Sequence, residues 1–162
     1  MIRVNQAGEF GAVRIYQGQL AILSRSASAE TLQHMLTQEQ QHLEAFNKMI
    51  VERRVRPTLL SPIWSIFGYA LGATTALLGE KSAMACTVAI EDVIDDHYAQ
   101  QERSLNDEES ELKNLIIQCR QDENEHRQTG LNLGAEQAVG YRLLSGAIKF
   151  GARMAIRLSK KI

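Results

Sequence analysis

Two short motifs, Glu39-x-x-His42 and Glu123-x-x-His126, hold the residue types from which this chain could do chemistry. A Glu and a His three residues apart on a helix project from one face, so both can reach the same metal ion. In a chain with 14 Glu and four His such a motif is weak by itself. Its context is stronger. Glu9 precedes the first motif by 30 residues and Glu91 precedes the second by 32. One Glu followed by Glu-x-x-His therefore occurs twice, as duplication of a helix pair would leave it.

The faces on which these residues fall decide more than the spacing. Around the first motif the helical stripe runs Leu32, Met35, Leu36, Glu39, His42, Leu43, Phe46, Ile50, and around the second Leu112, Leu115, Ile116, Cys119, Glu123, His126, Gly130, Leu133. Glu9 shares a face with Ala12, Val13, Tyr16, Leu20 and Leu23, and Glu91 with Met84, Thr87, Val88, Ile94 and Tyr98. All six polar candidates sit inside apolar stripes and are expected to face inward. Four carboxylates gathered in an apolar core would each cost several kcal/mol of desolvation and repel one another. Metal cations supply the compensation, and four Glu with two His suit a pair of iron or manganese ions. His34, Glu44, Glu102 and Glu125 fall outside the pattern and read as solvated. Asp122, directly before Glu123, is either solvated or an orienting partner for an imidazole.

The elements that must position these residues are helices. Only two prolines interrupt the 162 residues, and stretches rich in Ala, Leu, Gln and Glu with little β-branched alternation predict an all-α fold. At 44% hydrophobic residues the chain suits a single domain over 1–162. Periodicity and Gly/Pro punctuation predict helices at 4–25, 29–53, 58–79, 81–106, 108–131 and 135–160, with Ser28 capping the second and Asn106 or Asp107 the fifth. The third segment stands apart, with no charged residue over 57–79. It reads as a buried central helix, as a helix dipping into one membrane leaflet, or as a true span, the last opposed by Pro62 and its Ser and Thr residues.

The formal net charge of −1 hides an asymmetry: 13 of the 19 acidic residues lie between Glu91 and Glu136, and none follows. The last stretch carries Arg142, Lys149, Arg153, Arg157, Lys160 and Lys161 among apolar residues, a basic amphipathic helix for an anionic membrane surface or for packing on its neighbours, and a poor nucleic-acid binder. Cys86 and Cys119 form no disulfide framework and are expected as reduced thiols. No secretory or transit segment is read at the N-terminus, which favours a bacterial protein peripheral to the cytoplasmic face of the inner membrane. A trimmed mitochondrial domain on the matrix side would read the same.

With these residues in hand the chain resembles the demethoxyubiquinone hydroxylases, the di-iron monooxygenases of ubiquinone biosynthesis. The resemblance rests on RVNQAGEFGAVRIYQGQ, EQQHLEAFN, RVRPTLLSPIW, GYALGATTALLGEKSAMACTVAIEDVIDDHY and DENEHRQTGL, in that order, and covers nearly the whole chain. It implies a ferritin-like four-helix di-iron bundle with an additional apolar helix at 57–79 that associates with the membrane, and the basic C-terminal helix. It places iron on Glu9, Glu39, His42, Glu91, Glu123 and His126, the six residues already singled out. It implies that dioxygen delivers one atom to the open ring carbon of a polyprenyl benzoquinol and the other to water. His97 and Tyr98 match the family's proposed relay for electrons and protons. A half-exposed histidine beside a core tyrosine is the plain alternative for that pair. No Gly-rich dinucleotide motif is found, so the reductant is NADH, acting directly or through the quinone, or a separate reductase. The resemblance also allows partner proteins of ubiquinone biosynthesis, or a homo-oligomer through the apolar segment. Two other readings stay open: a ferritin-like iron-storage or peroxide-scavenging protein on the same ligands, and a membrane-associated scaffold with a structural metal.

Overall fold

The computed structural model describes all 162 residues, except that the side chain of Asp107 lies outside the described set, and with it one of the two expected caps of the fifth helix. Among the described residues six helices form: α1 (Ile2–Leu23), α2 (Ala29–Glu52), α3 (Ser61–Leu77), α4 (Glu80–Ser104), α5 (Ser110–Asn132) and α6 (Tyr141–Lys161), with 3₁₀ turns at Asp107–Glu109 and Ala135–Gln137. Among the described residues there is no strand, and the fold is all-α with a ferritin-like bundle of α1, α2, α4 and α5.

The punctuation has local causes. Helix α2 ends where Arg54 enters the left-handed region (φ 51°), with Val55 N–H donating to Ile50 O at 2.9 Å and Arg54 N–H to Val51 O at 3.2 Å. This is a Schellman closure built on a non-glycine residue. Ser28 precedes α2 as expected, yet its hydroxyl donates to Glu80 Oε2 at 2.7 Å instead of capping the helix. Helix α6 starts six residues later than its periodicity suggests, because Gly134 and Gly140 take left-handed conformations around the 3₁₀ turn. Asn106 leads into the other 3₁₀ turn, and α5 begins after Glu109.

The repeat extends beyond the helix pair. Helix α1 packs on α2 and α3, and α4 packs on α5 and α6, so each half is a hairpin with an accessory helix on its first member. The central helix is α4, whose Ala83, Ala85, Cys86 and Ala89 are buried beside its apolar stripe. The buried-centre reading of the third segment is therefore wrong. Helix α3 lies outside α1, burying only Gly68, Gly72, Thr75 and Ala76 and leaving Ile66 70% and Phe67 67% exposed. The spanning reading fails too, since no helix is long and apolar enough to cross a membrane among the described residues.

What holds α3 is close backbone approach. A Cβ added at Gly72 would collide with the Ile15 carbonyl, and one at Gly18 with that of Tyr69. Gly72→Ala is expected to push the two helices apart and destabilise the fold by about 1–3 kcal/mol. A thermal melt checks it, and an unchanged midpoint would mean that the crossing is looser than described.

On the other side, α6 is tied to α4 by ion pairs. Lys149 Nζ lies 2.6 Å from Asp92 Oδ2, Arg127 pairs with the same carboxylate, and Arg153 reaches Asp96 at 3.7 Å. Although burial opposes it, Lys149 and Arg127 hold the Asp92 carboxyl below its usual range. Part of the basic helix thus answers the acidic middle of the chain, while Arg142, Arg157, Lys160 and Lys161 remain exposed.

Candidate metal centre

Each half of the repeat supplies three of six side chains that meet between the hairpins. Glu9, Glu39, His42, Glu91, Glu123 and His126 are all at most 4% exposed. They form two overlapping groups, Glu9–Glu39–His42–Glu123 and Glu39–Glu91–Glu123–His126, each with donor atoms within 4.8 Å of one another. Glu39 and Glu123 belong to both. Each of the other four belongs to one.

The imidazoles are aimed by their outer nitrogens. His42 Nε2 lies 2.9 Å from Asp122 Oδ2, and His126 Nε2 lies 3.0 Å from Gln38 Oε1. With Nε2–H donating outward, each Nδ1 lone pair points into the centre. There His42 Nδ1 stands 3.5 Å from Glu9 Oε2 and 3.4 Å from Glu123 Oε1, and His126 Nδ1 stands 3.2 Å from Glu39 Oε1 and 3.3 Å from Glu123 Oε2. Donors about 2.1 Å from a common ion and roughly at right angles lie about 3 Å apart, so these separations suit atoms sharing a cation.

Orphaned atoms give the sharper test of fit. Ten buried side-chain N or O atoms lack a hydrogen-bond partner among the described residues, and eight belong to these six residues, including both oxygens of Glu39 and of Glu123. Buried polar atoms are normally satisfied, and such a concentration calls for a cation. Oxygen and imidazole donors in this ratio fit iron or manganese.

Without a cation the charges rearrange. Burial and the neighbouring Glu123 carboxylate push Glu39 and Glu91 well above the usual carboxylate range. Glu123 is held down at about 2: burial opposes this, but His126 and His42 hydrogen-bond to it. His42 rises to about 11, because Glu123 and Glu9 outweigh its burial. The metal-free centre therefore stores protons on the groups that a metal would need ionised or neutral.

The repeat governs the surrounding layer as well. Tyr16, seven residues after Glu9, donates its hydroxyl to Glu91 Oε1 at 2.8 Å, and Tyr98, seven after Glu91, donates to Glu9 Oε1. Burial, reinforced by these carboxylates, raises both phenols well above their ordinary pKa, so they stay protonated donors. Tyr98 was expected from sequence, and Tyr16 and Gln38 were not. Extending the repeat would have found both, since Gln38 precedes Glu39 as Asp122 precedes Glu123.

His97 is not among the converging residues, and its ring lies beside Tyr98 with centroids 6.3 Å apart. Gln101 donates to His97 Nε2 at 2.6 Å and forms a reciprocal amide pair with buried Asn5, at 2.9 and 2.6 Å. Burial, with Lys160 and the N-terminal ammonium, lowers His97 to about 4, so it is a neutral acceptor. Sequence reasoning missed Asn5 and Gln101. His34, Glu44 and Glu125 are exposed and Glu102 partly so, as expected.

An apolar cavity of about 540 Å³ lies between α1, α3, α4 and α6. Small residues open it: Ala7, Gly8 and Gly11 on α1, and Gly151, Ala152 and Ala155 on α6. Its inner wall includes Ala12 and Ile94, which share helix faces with Glu9 and Glu91, and its rim includes exposed Phe67. Trp64 lines the cavity and donates from Nε1 to Ser159 Oγ at 3.0 Å, joining α3 to α6.

Comparison with known proteins places these features in context. The family model described as "Ubiquinone biosynthesis protein COQ7" matches residues 1–159. A Rhodospirillum rubrum protein named 3-demethoxyubiquinol 3-hydroxylase is 57% identical over 162 residues, covering 99% of this chain and 76% of that protein. The human NADPH-dependent 3-demethoxyubiquinone 3-hydroxylase, mitochondrial, is 48% identical over 166 residues, covering 100% and 76%. The Saccharomyces cerevisiae 5-demethoxyubiquinone hydroxylase, mitochondrial, is 38% identical over 179 residues, covering 100% and 77%.

Proposed function

Because this chain belongs to the COQ7 family of ubiquinone biosynthesis, in which its relatives are hydroxylases, we propose that it hydroxylates a demethoxyubiquinol-type ring at two iron ions. Glu9, Glu39, His42 and Glu123 would hold one ion and Glu39, Glu91, Glu123 and His126 the other. The observation that carries this is the concentration of orphaned, buried donor atoms at those six residues. The centre, when loaded, supplies reduction of dioxygen and transfer of one oxygen atom to the ring, the other leaving as water. The storage and scaffold readings are not favoured, since the relatives are named as hydroxylases of this substrate class.

The chain's own residues bind, orient and exclude water. Tyr16 and Tyr98 hold the outer oxygens of Glu91 and Glu9 by hydrogen bonds. The apolar cavity would receive the quinol from the rim at Phe67, with its ring turned toward the α1–α4 seam. His97, held neutral and accepting from Gln101, would serve the site by fixing the packing beside Tyr98. The reductant would be a nicotinamide: NADPH is named for the human relative, where NADH or a separate reductase was the expectation.

A polyprenyl substrate resides in a bilayer, so the protein would sit on the membrane by the exposed apolar surfaces of α3 and α6, which include Ile66, Phe67, Leu143 and Phe150. In a bacterium that surface is the cytoplasmic face of the inner membrane. Ile66→Asp with Phe67→Asp is expected to lower binding to anionic vesicles at least about 10-fold and to slow turnover of a long-tailed quinol more than that of a short-tailed one. Vesicle co-sedimentation and paired turnover assays check it. Equal losses for both substrates would argue against entry at this rim. The reading as a whole is tested by labelling: the new ring hydroxyl should carry oxygen from ¹⁸O₂, and label arriving from water would refute it.

A further inference from the structure

The duplicated layer around the centre is broken at one telling pair. Four residues before each motif Glu stand Met35 in the first half and Cys119 in the second. Both are buried, Cys119 completely. Met35 carries a thioether that cannot ionise. Cys119 carries a thiol, and donor atoms of Glu9, His42 and Cys119 lie within 4.8 Å of one another. Glu9 Oε2 and His42 Nδ1, 3.5 Å apart in that group, are buried and unpartnered. The same half is unequal elsewhere: behind His42 stands the carboxylate of Asp122, where Gln38 stands behind His126.

We propose that the sulfur of Cys119 is an additional donor to the metal ion held by Glu9 and His42, so that the two positions of the centre are chemically unequal. The inference rests on the metal reading of the site. Binding would break the S–H bond and form a metal–sulfur bond, with the proton released to solvent, so no oxidant or reductant is needed. Without metal the thiol is kept protonated by burial and by Glu9, Glu123 and Asp122. A bound cation reverses that field and favours the thiolate. The plain alternative is a small apolar filler among Phe46, Tyr98 and Ile116. It predicts no spectroscopic signature.

Cobalt(II) separates the two. Anaerobic titration of the metal-free protein with cobalt should produce visible ligand-field bands and a near-ultraviolet sulfur-to-cobalt charge-transfer band. Cys119→Ser should lose the charge-transfer band and keep the ligand-field bands. Cys86→Ser should keep both, because Cys86 packs with Ile15, Ala89 and Ile148 away from the centre. X-ray absorption at the cobalt edge should show one sulfur neighbour shared over two ions in the wild type and none in Cys119→Ser or Cys119→Ala. Ligand-field bands without a charge-transfer band in the wild type would overturn the inference and leave the metal centre standing. Absence of any cobalt spectrum would overturn both.

Discussion

Glu39→Gln is expected to abolish metal loading and hydroxylation while making the metal-free protein more stable. Glu39 lies in both donor groups, so its loss removes a carboxylate from each ion, and affinity should fall at least about 100-fold. Its two oxygens are buried without partners, and burial with Glu123, Glu9 and Glu91 around it makes its ionised form unfavourable. The amide keeps the shape and carries no charge. Relief of that penalty should stabilise the metal-free fold by about 1–3 kcal/mol at neutral pH. At this chain length that is several degrees in melting temperature, roughly 2–4 °C per kcal/mol. Metal analysis and calorimetry on chelated samples check both halves. A variant that loses metal and also melts lower would mean that Glu39 has a structural role the centre does not require.

The second expectation is a reversal of pH dependence on metal loading. In the metal-free protein Glu39 and Glu91 titrate above their unfolded range, so the folded state holds more protons, and stability falls as pH rises from about 4.5. His42, raised to about 11, contributes stability that is complete below about 6.5 and lost as pH climbs toward 11. Glu123, held at about 2, contributes stability present above about 4.5 and lost as pH falls toward 2. The metal-free optimum should therefore lie near about pH 5, with a decline through neutrality. Metal binding requires ionised carboxylates and neutral imidazoles, so the loaded protein should gain stability from about pH 5 to 7.5. Melts across that range with ferrous ion and with chelator should slope oppositely. Parallel slopes would mean that these groups do not exchange protons for metal.

The six converging residues were legible in the sequence because each interrupts an apolar helical stripe, which is a local signal. Tyr98 was legible by resemblance. Its counterpart Tyr16 bonds a carboxylate 75 positions away, and Gln38 meets an imidazole 88 positions away, so only the repeat, and no local pattern, announces their roles. The same holds for the Asn5–Gln101 amide pair, which bridges α1 and α4. Hydropathy could not place α3, because an uncharged helix suits the centre of a bundle and its outside equally. What decides is where small residues permit contact, and Gly18, Gly68 and Gly72 put α3 against the outer side of α1. Helix α4, more polar in total, takes the centre because its alanines let neighbours approach on every side. The late start of α6 follows from two left-handed glycines, which periodicity does not record.

The duplicated geometry also explains how a site of near-equal halves can serve an asymmetric reaction. His97 has Ile15 as its counterpart, Asp122 has Gln38 and Cys119 has Met35. All three departures gather around Glu9 and His42 or the tyrosine that holds Glu9. That ion position is the one at which the two halves would differ in donor strength and proton supply.

If the six buried donors hold iron for ring hydroxylation, quinone mass spectrometry will read the product. The protein is loaded anaerobically with ferrous ion, then given oxygen, reductant and a short-tailed demethoxyquinone. A product heavier by one oxygen, absent in Glu91→Ala, is the predicted result; oxygen consumed with the quinone unchanged would contradict it.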